Sequence, residues 1–178
     1  IDPLLKGADM VIHFGAIVDE KPFEELLGPN FIGSYNIWEA GHQHGVRRIV
    51  YASSIHAVGM HKKRDFIGID APHRPDTFYG LAKCFTEDRA IDTPSVGFSI
   101  IYGVSNNDRA PVDNTQAAFL GYRPKDNAEQ FAAEVLANTP PADVTDPAEM
   151  LQGGPFAKVD LGQSGLAQMA VVDDRKKT

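Results

Sequence analysis

Tyr79 and Lys83 are the residues whose types and spacing most directly suggest chemistry in this chain. They stand four positions apart in segment 77–90, which has helix-forming composition and no proline. That spacing places the phenol and the ammonium one turn apart on the same face of a helix. Surface helices often carry such a pair without a function, so its meaning depends on the surrounding residues.

A tyrosine and a lysine in this arrangement could transfer a proton. A free tyrosine has a pKa of about 10 and is a poor base at neutral pH, but a neighbouring cation favours the phenolate and lowers that pKa. The phenolate can then accept a proton from a substrate hydroxyl while a hydride leaves the same carbon atom. A nearby serine hydroxyl could hold the reacting oxygen, and the pair Ser53–Ser54 offers one.

The elements that must position these groups form a strand–helix–strand unit. The apolar runs 10–14 and 48–52 each predict a buried strand, and Ser53–Ser54 follows the second one directly. Between them, Asn30 predicts a helix N-cap and glycines near 41–45 predict the helix end. Such a unit makes the two strands parallel, and ligands bind at the carboxyl ends of parallel strands. The apolar stripe of the predicted helix consists of Phe31, Tyr35 and Trp38.

The second half of the chain gives weaker patterns. Segment 95–102 alternates well enough to predict another strand, and Asp126 could cap a later helix. The fold class expected from the whole pattern is α/β. The apolar stripe of the later helix would consist of Phe131, Val135 and Leu136.

Composition excludes several classes of protein. The chain has 178 residues, of which 43% are hydrophobic, and is long enough for one domain with a core. No apolar run approaches the roughly 20 residues that span a membrane. The net charge of −7 argues against nucleic-acid binding. Cys84 is the single cysteine, so no internal disulfide can form and a cytoplasmic location is expected. The histidines show no metal-ligand spacing.

Several motifs together resemble a known family. The segments 11–16 (Val-Ile-His-Phe-Gly-Ala), 30–36, 46–54 and the Tyr79 to Lys83 motif resemble the extended short-chain dehydrogenases/reductases, which are nicotinamide-dependent enzymes. The segments 20–24 (Glu-Lys-Pro-Phe-Glu), 122–128 and 151–154 are similar to the bacterial uronate dehydrogenases, which oxidise galacturonate and glucuronate with NAD. The resemblance implies oxidation of a sugar acid and covers about 2–156.

The resemblance assigns the catalytic roles by position. Tyr79 would be the general base, Lys83 would lower its pKa and hold the nicotinamide ribose, and Ser54 would bind the substrate hydroxyl. His56 would also contact the substrate, although a purely structural role in its loop accounts for it equally well. The remaining residues implied to bind NAD are Phe14, Gly15, Ala16 and Asn30.

Three departures accompany the resemblance. The chain has no Gly-x-Gly-x-x-Gly turn, so we expect a partial Rossmann-like doubly wound parallel sheet that lacks its first βαβαβ segment. The family also carries a longer stretch after the Tyr79 helix, with an arginine for the substrate carboxylate that neither Arg89 nor Arg109 matches. Val18 and Ile55 stand where uronate dehydrogenases have polar residues.

The expected organisation is one incomplete NAD-binding domain over 1–156, including the substrate-binding part, followed by a tail over 157–178. The expected partner is a small sugar acid, with neither membrane nor nucleic acid and with a homo-oligomer as an open option. Two alternatives stay open: a sugar-nucleotide epimerase or dehydratase of the same superfamily, and a non-catalytic fragment.

Overall fold

A computed structural model describes residues 2–91 and 99–168. Its regular structure is concentrated before residue 92, where helices and strands alternate. In chain order these elements are helix α1 (Asp2–Leu5), strand β1 (Met10–His13), helix α2 (Phe23–Leu26), a π-helical segment (Leu27–Ile32), helix α3 (Gly33–Gln43), strand β2 (Arg48–Tyr51), two short 3-10 turns (Ile55–Val58 and Lys63–Asp65) and helix α4 (Phe78–Ile91).

Strands β1 and β2 form a parallel pair in which Met10 lies opposite Arg48 and His13 lies opposite Tyr51. The helical crossover from α2 to α3 joins them, so the predicted βαβ unit is confirmed. The Ala52 backbone N–H donates to the His13 carbonyl over 3.1 Å. The carboxyl ends of both strands therefore lie side by side, and the segments that follow them share one edge of the sheet.

Helix α3 covers one face of this sheet. A Cβ on Gly41 would approach the Ile49 side chain to 3.0 Å, so glycine allows the helix to lie close to β2. Trp38 packs edge-on against Tyr51 with ring centroids 6.5 Å apart. On the opposite face, Ile12 and Val50 remain 56% and 44% exposed. Helix α3 ends before Gly45, whose φ of +65° suits glycine and confirms the predicted end.

The start of the first helix differs from the prediction. Asn30 lies inside the π-helical segment and not at a helix N-terminus, because the backbone becomes helical directly after Pro22. Its amide has another partner: Oδ1 accepts from the Ile17 N–H at 2.8 Å and Nδ2 donates to the Ile17 carbonyl at 2.9 Å. Asn30 therefore fixes the segment after β1 and does not cap a helix.

The second half is built mainly from turns and short helices. Its elements are 3-10 turns at Thr115–Leu120, Ala128–Phe131 and Gly154–Lys158, and helices α5 (Ala132–Asn138), α6 (Pro147–Met150) and α7 (Gly165–Gln168).

Two predictions for this half are corrected. Residues 99–102 are not a strand, because the Tyr102 backbone pairs with the Asn114 side chain; the rest of the predicted strand includes 92–98, outside the described residues. The later helix is capped by Asn127 and not by Asp126, since Asn127 Oδ1 accepts from the Glu129 N–H. Its predicted stripe is exposed, at 55% for Phe131, 55% for Val135 and 54% for Leu136.

The second half is attached to the first at several places. A small core of Val58, Ile67 and Val112 joins them, and segment 151–153 pairs with 59–62 through hydrogen bonds such as Gly153 N–H to the Gly59 carbonyl at 2.9 Å. Segment 162–166, in the predicted tail, contacts the acidic pair Asp19–Glu20 through backbone and hydroxyl groups. None of the described helices is long and apolar enough to cross a membrane.

Candidate active site

The end of β2 and the first turns of α4 bring together the three residues predicted to be catalytic. Ser54 follows β2, and its side chain is close enough to the Tyr79 phenol to oppose the rise of the phenol pKa. Lys83 lies one turn after Tyr79, with Nζ 5.3 Å from the centroid of the Tyr79 ring. The same ammonium donates to the Ala52 carbonyl over 2.8 Å. A proton donor and acceptor, a cation and a hydroxyl thus lie together at the carboxyl edge of the sheet.

Tyr79 is buried, with 7% of its surface exposed. Burial raises its pKa, the Ser54 side chain opposes that rise, and the charge of Asp76 adds to it. The Lys83 ammonium lies over the ring of Tyr79 and donates to the Ala52 carbonyl. Its lowering of the Tyr79 pKa stays a prediction. Because burial raises its pKa, the phenol is held in its neutral form at neutral pH, and a charge close to its oxygen would be needed to ionise it.

Lys83 is buried as well, with 4% of its surface exposed. Burial lowers its pKa to about 8, and Glu87 acts in the opposite direction. The ring of Tyr51 lies 4.8 Å from Nζ and stabilises the cation by a cation–π contact. Tyr51 was not singled out from the sequence. The sequence signal for Tyr51 is its position as an aromatic residue at the end of the strand that precedes the serine pair.

The segment after β1 lies beside this cluster and is open to solvent. Phe14 is 69% exposed, and Gly15 is exposed as well. Gly15 and Ala16 follow at the carboxyl end of β1, where its backbone meets Ala52. Asn30, 2% exposed, holds this segment through Ile17 and presents no free amide atom of its own. Phe14, Gly15 and Ala16 thus lie at the same carboxyl edge of the sheet as the segment that carries Ser54.

His56 lies on the other side of Tyr79, in the 3-10 turn after Ser54. Its ring packs against Phe156 at 4.4 Å and against Tyr79 at 5.7 Å between centroids. Its Nδ1 lies 2.7 Å from Oδ2 of Asp76, whose side chain is fully buried. Neither Asp76 nor Phe156 was singled out from the sequence. Asp76 gave only the signal of a polar residue before a helix, and Phe156 reaches the site through tertiary packing.

Glu20 is a second buried carboxylate that sequence reasoning did not place in the site. It has no exposed surface and accepts the backbone N–H groups of Phe78, Tyr79 and Gly162 at 2.9–3.1 Å. The first N–H groups of a helix lack intrahelical partners and favour a negative charge. Glu20 therefore caps α4 from a distant part of the chain and fixes the backbone of Tyr79.

The positions that depart from the family pattern have local explanations. Ile55 packs against the core around Val58, so its apolar side chain serves the join between the two halves. Val18 is 67% exposed. Arg109 forms an ion pair with Glu129 at 2.7 Å, while the side chain of Arg89 is outside the described part. Within the described residues, no cluster of His, Cys, Asp or Glu could hold a metal ion.

Comparisons with known proteins agree with this geometry. Residues 1–91 match the 3-beta hydroxysteroid dehydrogenase/isomerase family. The uronate dehydrogenase of Pseudomonas putida is 37% identical over 202 residues, an alignment that covers 88% of this chain and 75% of the relative. That alignment is longer than the chain itself, so the relative carries internal residues with no counterpart here. This agrees with the internal deletion expected from the sequence.

Solved structures show the same likeness. A crystal structure of a uronate dehydrogenase mutant from Agrobacterium tumefaciens complexed with NAD is 33% identical with a TM-score of 0.78, and the match covers 89% of this chain and 77% of that one. A glucuronic acid dehydrogenase from Chromohalobacter salexigens is 31% identical with a TM-score of 0.79, covering 89% and 77%. The parallel βαβ unit is therefore part of a Rossmann-like α/β fold, and the chain belongs to the uronate dehydrogenase family of extended short-chain dehydrogenases/reductases.

Proposed function

We propose that this protein is an NAD-dependent oxidoreductase that oxidises the anomeric hydroxyl of a hexuronate to a lactone. The observation that carries this proposal is the cluster of Ser54, Tyr79 and Lys83 at the carboxyl edge of β1 and β2. Similarity to uronate dehydrogenases over most of the chain supports the substrate class.

The residues of the cluster fit the nicotinamide end of NAD. Lys83 and Tyr79 would hold the nicotinamide ribose, because an ammonium and a phenol can both bond to its hydroxyls. The exposed backbone of Phe14, Gly15 and Ala16 would lie along the cofactor, and Asn30 would act by holding that backbone through Ile17.

The reaction removes a proton and a hydride from the sugar acid. NAD, when bound, supplies the acceptor for the hydride that leaves the anomeric carbon with its electron pair. Tyr79 as phenolate takes the proton of the hydroxyl on that carbon, and the C–O bond becomes a carbonyl. The Ser54 hydroxyl holds the reacting oxygen, and the Lys83 ammonium favours the phenolate when a ligand draws it toward the tyrosine oxygen. The His56 imidazole would contact the bound sugar acid.

We further propose that the protein works in the cytoplasm on a small sugar acid and forms a homo-oligomer. The single cysteine, Cys84, is buried and without a disulfide partner, which suits a reducing compartment. The apolar sheet face with Ile12 and Val50 is a surface that subunits could cover. Sedimentation of the purified chain measures the assembly directly.

The test of the reaction is NADH formation, followed by absorbance, with galacturonate and glucuronate. Galactose and glucose serve as matched substrates without the carboxylate. We expect turnover of an acid by the unaltered chain and about a thousandfold slower turnover by Tyr79→Phe, which keeps the ring but loses the phenolate. Absence of NADH formation with both acids would contradict the proposal, as would equal rates with Tyr79→Phe.

A further inference from the structure

The buried carboxylate of Asp76 is the group beside the site for which the proposed reaction gives no role. It precedes α4, and its side chain has no exposed surface. Oδ2 lies 2.7 Å from Nδ1 of His56, and Oδ1 accepts from the Thr77 hydroxyl at 2.8 Å. A buried carboxylate is costly unless each oxygen has a donor, so the His56 Nδ1–H is a required partner.

The surroundings of Asp76 admit only small residues. A Cβ at Gly59 or at Gly153 would overlap the carboxylate, so two separate segments approach it as bare backbone. The Gly153 N–H donates to the Gly59 carbonyl, which holds these segments together. The carboxylate thus has a closely fitted site, and its orientation toward His56 is fixed by packing from both sides.

The arrangement determines which nitrogen of His56 is left to accept a hydrogen bond. With Nδ1–H committed to Asp76, the proton of the neutral ring is on Nδ1 and Nε2 is left as a hydrogen-bond acceptor. Among the described residues, none forms a hydrogen bond with Nε2, and 15% of the side chain is exposed. Phe156 and Tyr79 pack against the ring and limit its rotation.

We infer that Asp76 is a positioning residue, which holds His56 as the Nδ1–H tautomer so that Nε2 accepts a hydrogen bond from a hydroxyl of the bound sugar. The contact with sugar rests on the proposed function, whereas the tautomer does not. Asp76 acts only through His56 and touches neither substrate nor cofactor.

The first test is the tautomer of the His56 ring. Ring nitrogen NMR shifts of the unaltered chain and of Asp76→Asn show which nitrogen carries the proton. We expect Nδ1–H in the unaltered chain, and a mixture with the Nε2–H form in the variant, because an amide can serve either tautomer. Asp70→Asn, the same change at an exposed aspartate, is the control and should leave the signals unchanged. An Nε2–H tautomer in the unaltered chain would overturn the inference even if the protein oxidised no sugar.

The second test is kinetic. Asp76→Asn should raise KM for the uronate about tenfold, with a smaller change in kcat, because a misoriented imidazole weakens binding of the sugar. In a His56→Gln background the same substitution should add almost nothing, since Asp76 would have no ring to position. A loss that persists in that background would show that Asp76 supports the fold and not His56, and would overturn the inference.

Discussion

The two sides of Tyr79 differ sharply in how they are held. On the α4 side, Glu20 accepts the N–H of Tyr79, and His56 and Lys83 pack against its ring. On the side of β1, the segment from Phe14 to Ala16 is open to solvent and is held mainly through Asn30 and Ile17. Catalytic groups need fixed geometry, whereas a cofactor that enters and leaves needs an accessible edge.

The largest expected effect comes from Tyr79→Phe. Removing the phenol oxygen eliminates the base while the ring contacts with His56 and Lys83 remain, so kcat should fall about a thousandfold. Stability should stay close to that of the unaltered chain, which urea unfolding can show. A fall in kcat of less than tenfold would mean that another group takes the proton.

The next effect is that of Glu20→Ala on stability. Three backbone N–H groups would lose a charged acceptor inside the protein, so the free energy of unfolding should fall by about 3 kcal/mol. Urea or thermal unfolding measures this. Glu24→Ala, at an exposed position of α2, is the control and should change stability by about 0.5 kcal/mol or less. If the two variants lost similar amounts of stability, Glu20 would not be the cap of α4.

Lys83→Met should separate stability from activity. Burial lowers the pKa of Lys83 from 10.5 to about 8, so at pH 7 the folded chain holds a buried charge that the unfolded chain keeps in water. The variant should lose activity yet unfold with a free energy about 1–3 kcal/mol higher at pH 7. The stability of the unaltered chain should rise with pH between about 8 and 10.5, because the unfolded state binds more protons there.

The difference between the two proteins should therefore shrink across that pH range. Unfolding in urea at pH 7 and at pH 9.5 measures it, and groups common to both proteins cancel in the comparison. A constant difference at the two pH values would show that the burial of charge on Lys83 does not set it.

The smallest effect is expected on the open side. Phe14→Ala should change the free energy of unfolding by about 0.5 kcal/mol or less, since the side chain is 69% exposed. The KM for NAD should nevertheless rise severalfold, because the ring lies where the cofactor is proposed to pass. If Phe14→Ala had the stability and the KM for NAD of the unaltered chain, the cofactor would not pass over Phe14. A large loss of stability would show that this segment is as firmly held as α4.

Sequence patterns predicted the first half well because its signals are local. Segments 10–14 and 48–52 are short apolar runs, and the four-residue spacing of Tyr79 and Lys83 is meaningful within one helix. The failures occurred where a side chain serves a distant partner. Asn30 is a residue type that favours helix caps, but its amide holds Ile17. The backbone of Tyr102, in the predicted strand, pairs with the Asn114 side chain.

The sequence by itself determined the βαβ unit, the placing of Tyr79 and Lys83 on one face of a helix, and the family, because each depends on local spacing or on motif order. Only the tertiary structure decided that Glu20 caps α4, that Asp76 pairs with His56, and that burial raises the pKa of Tyr79. The contacts of Asp76 with His56 and of Glu20 with Tyr79 join residues that are 20 and 59 positions apart. The pKa of Tyr79 depends on how much water reaches its oxygen. Spacing along a chain carries no information about either.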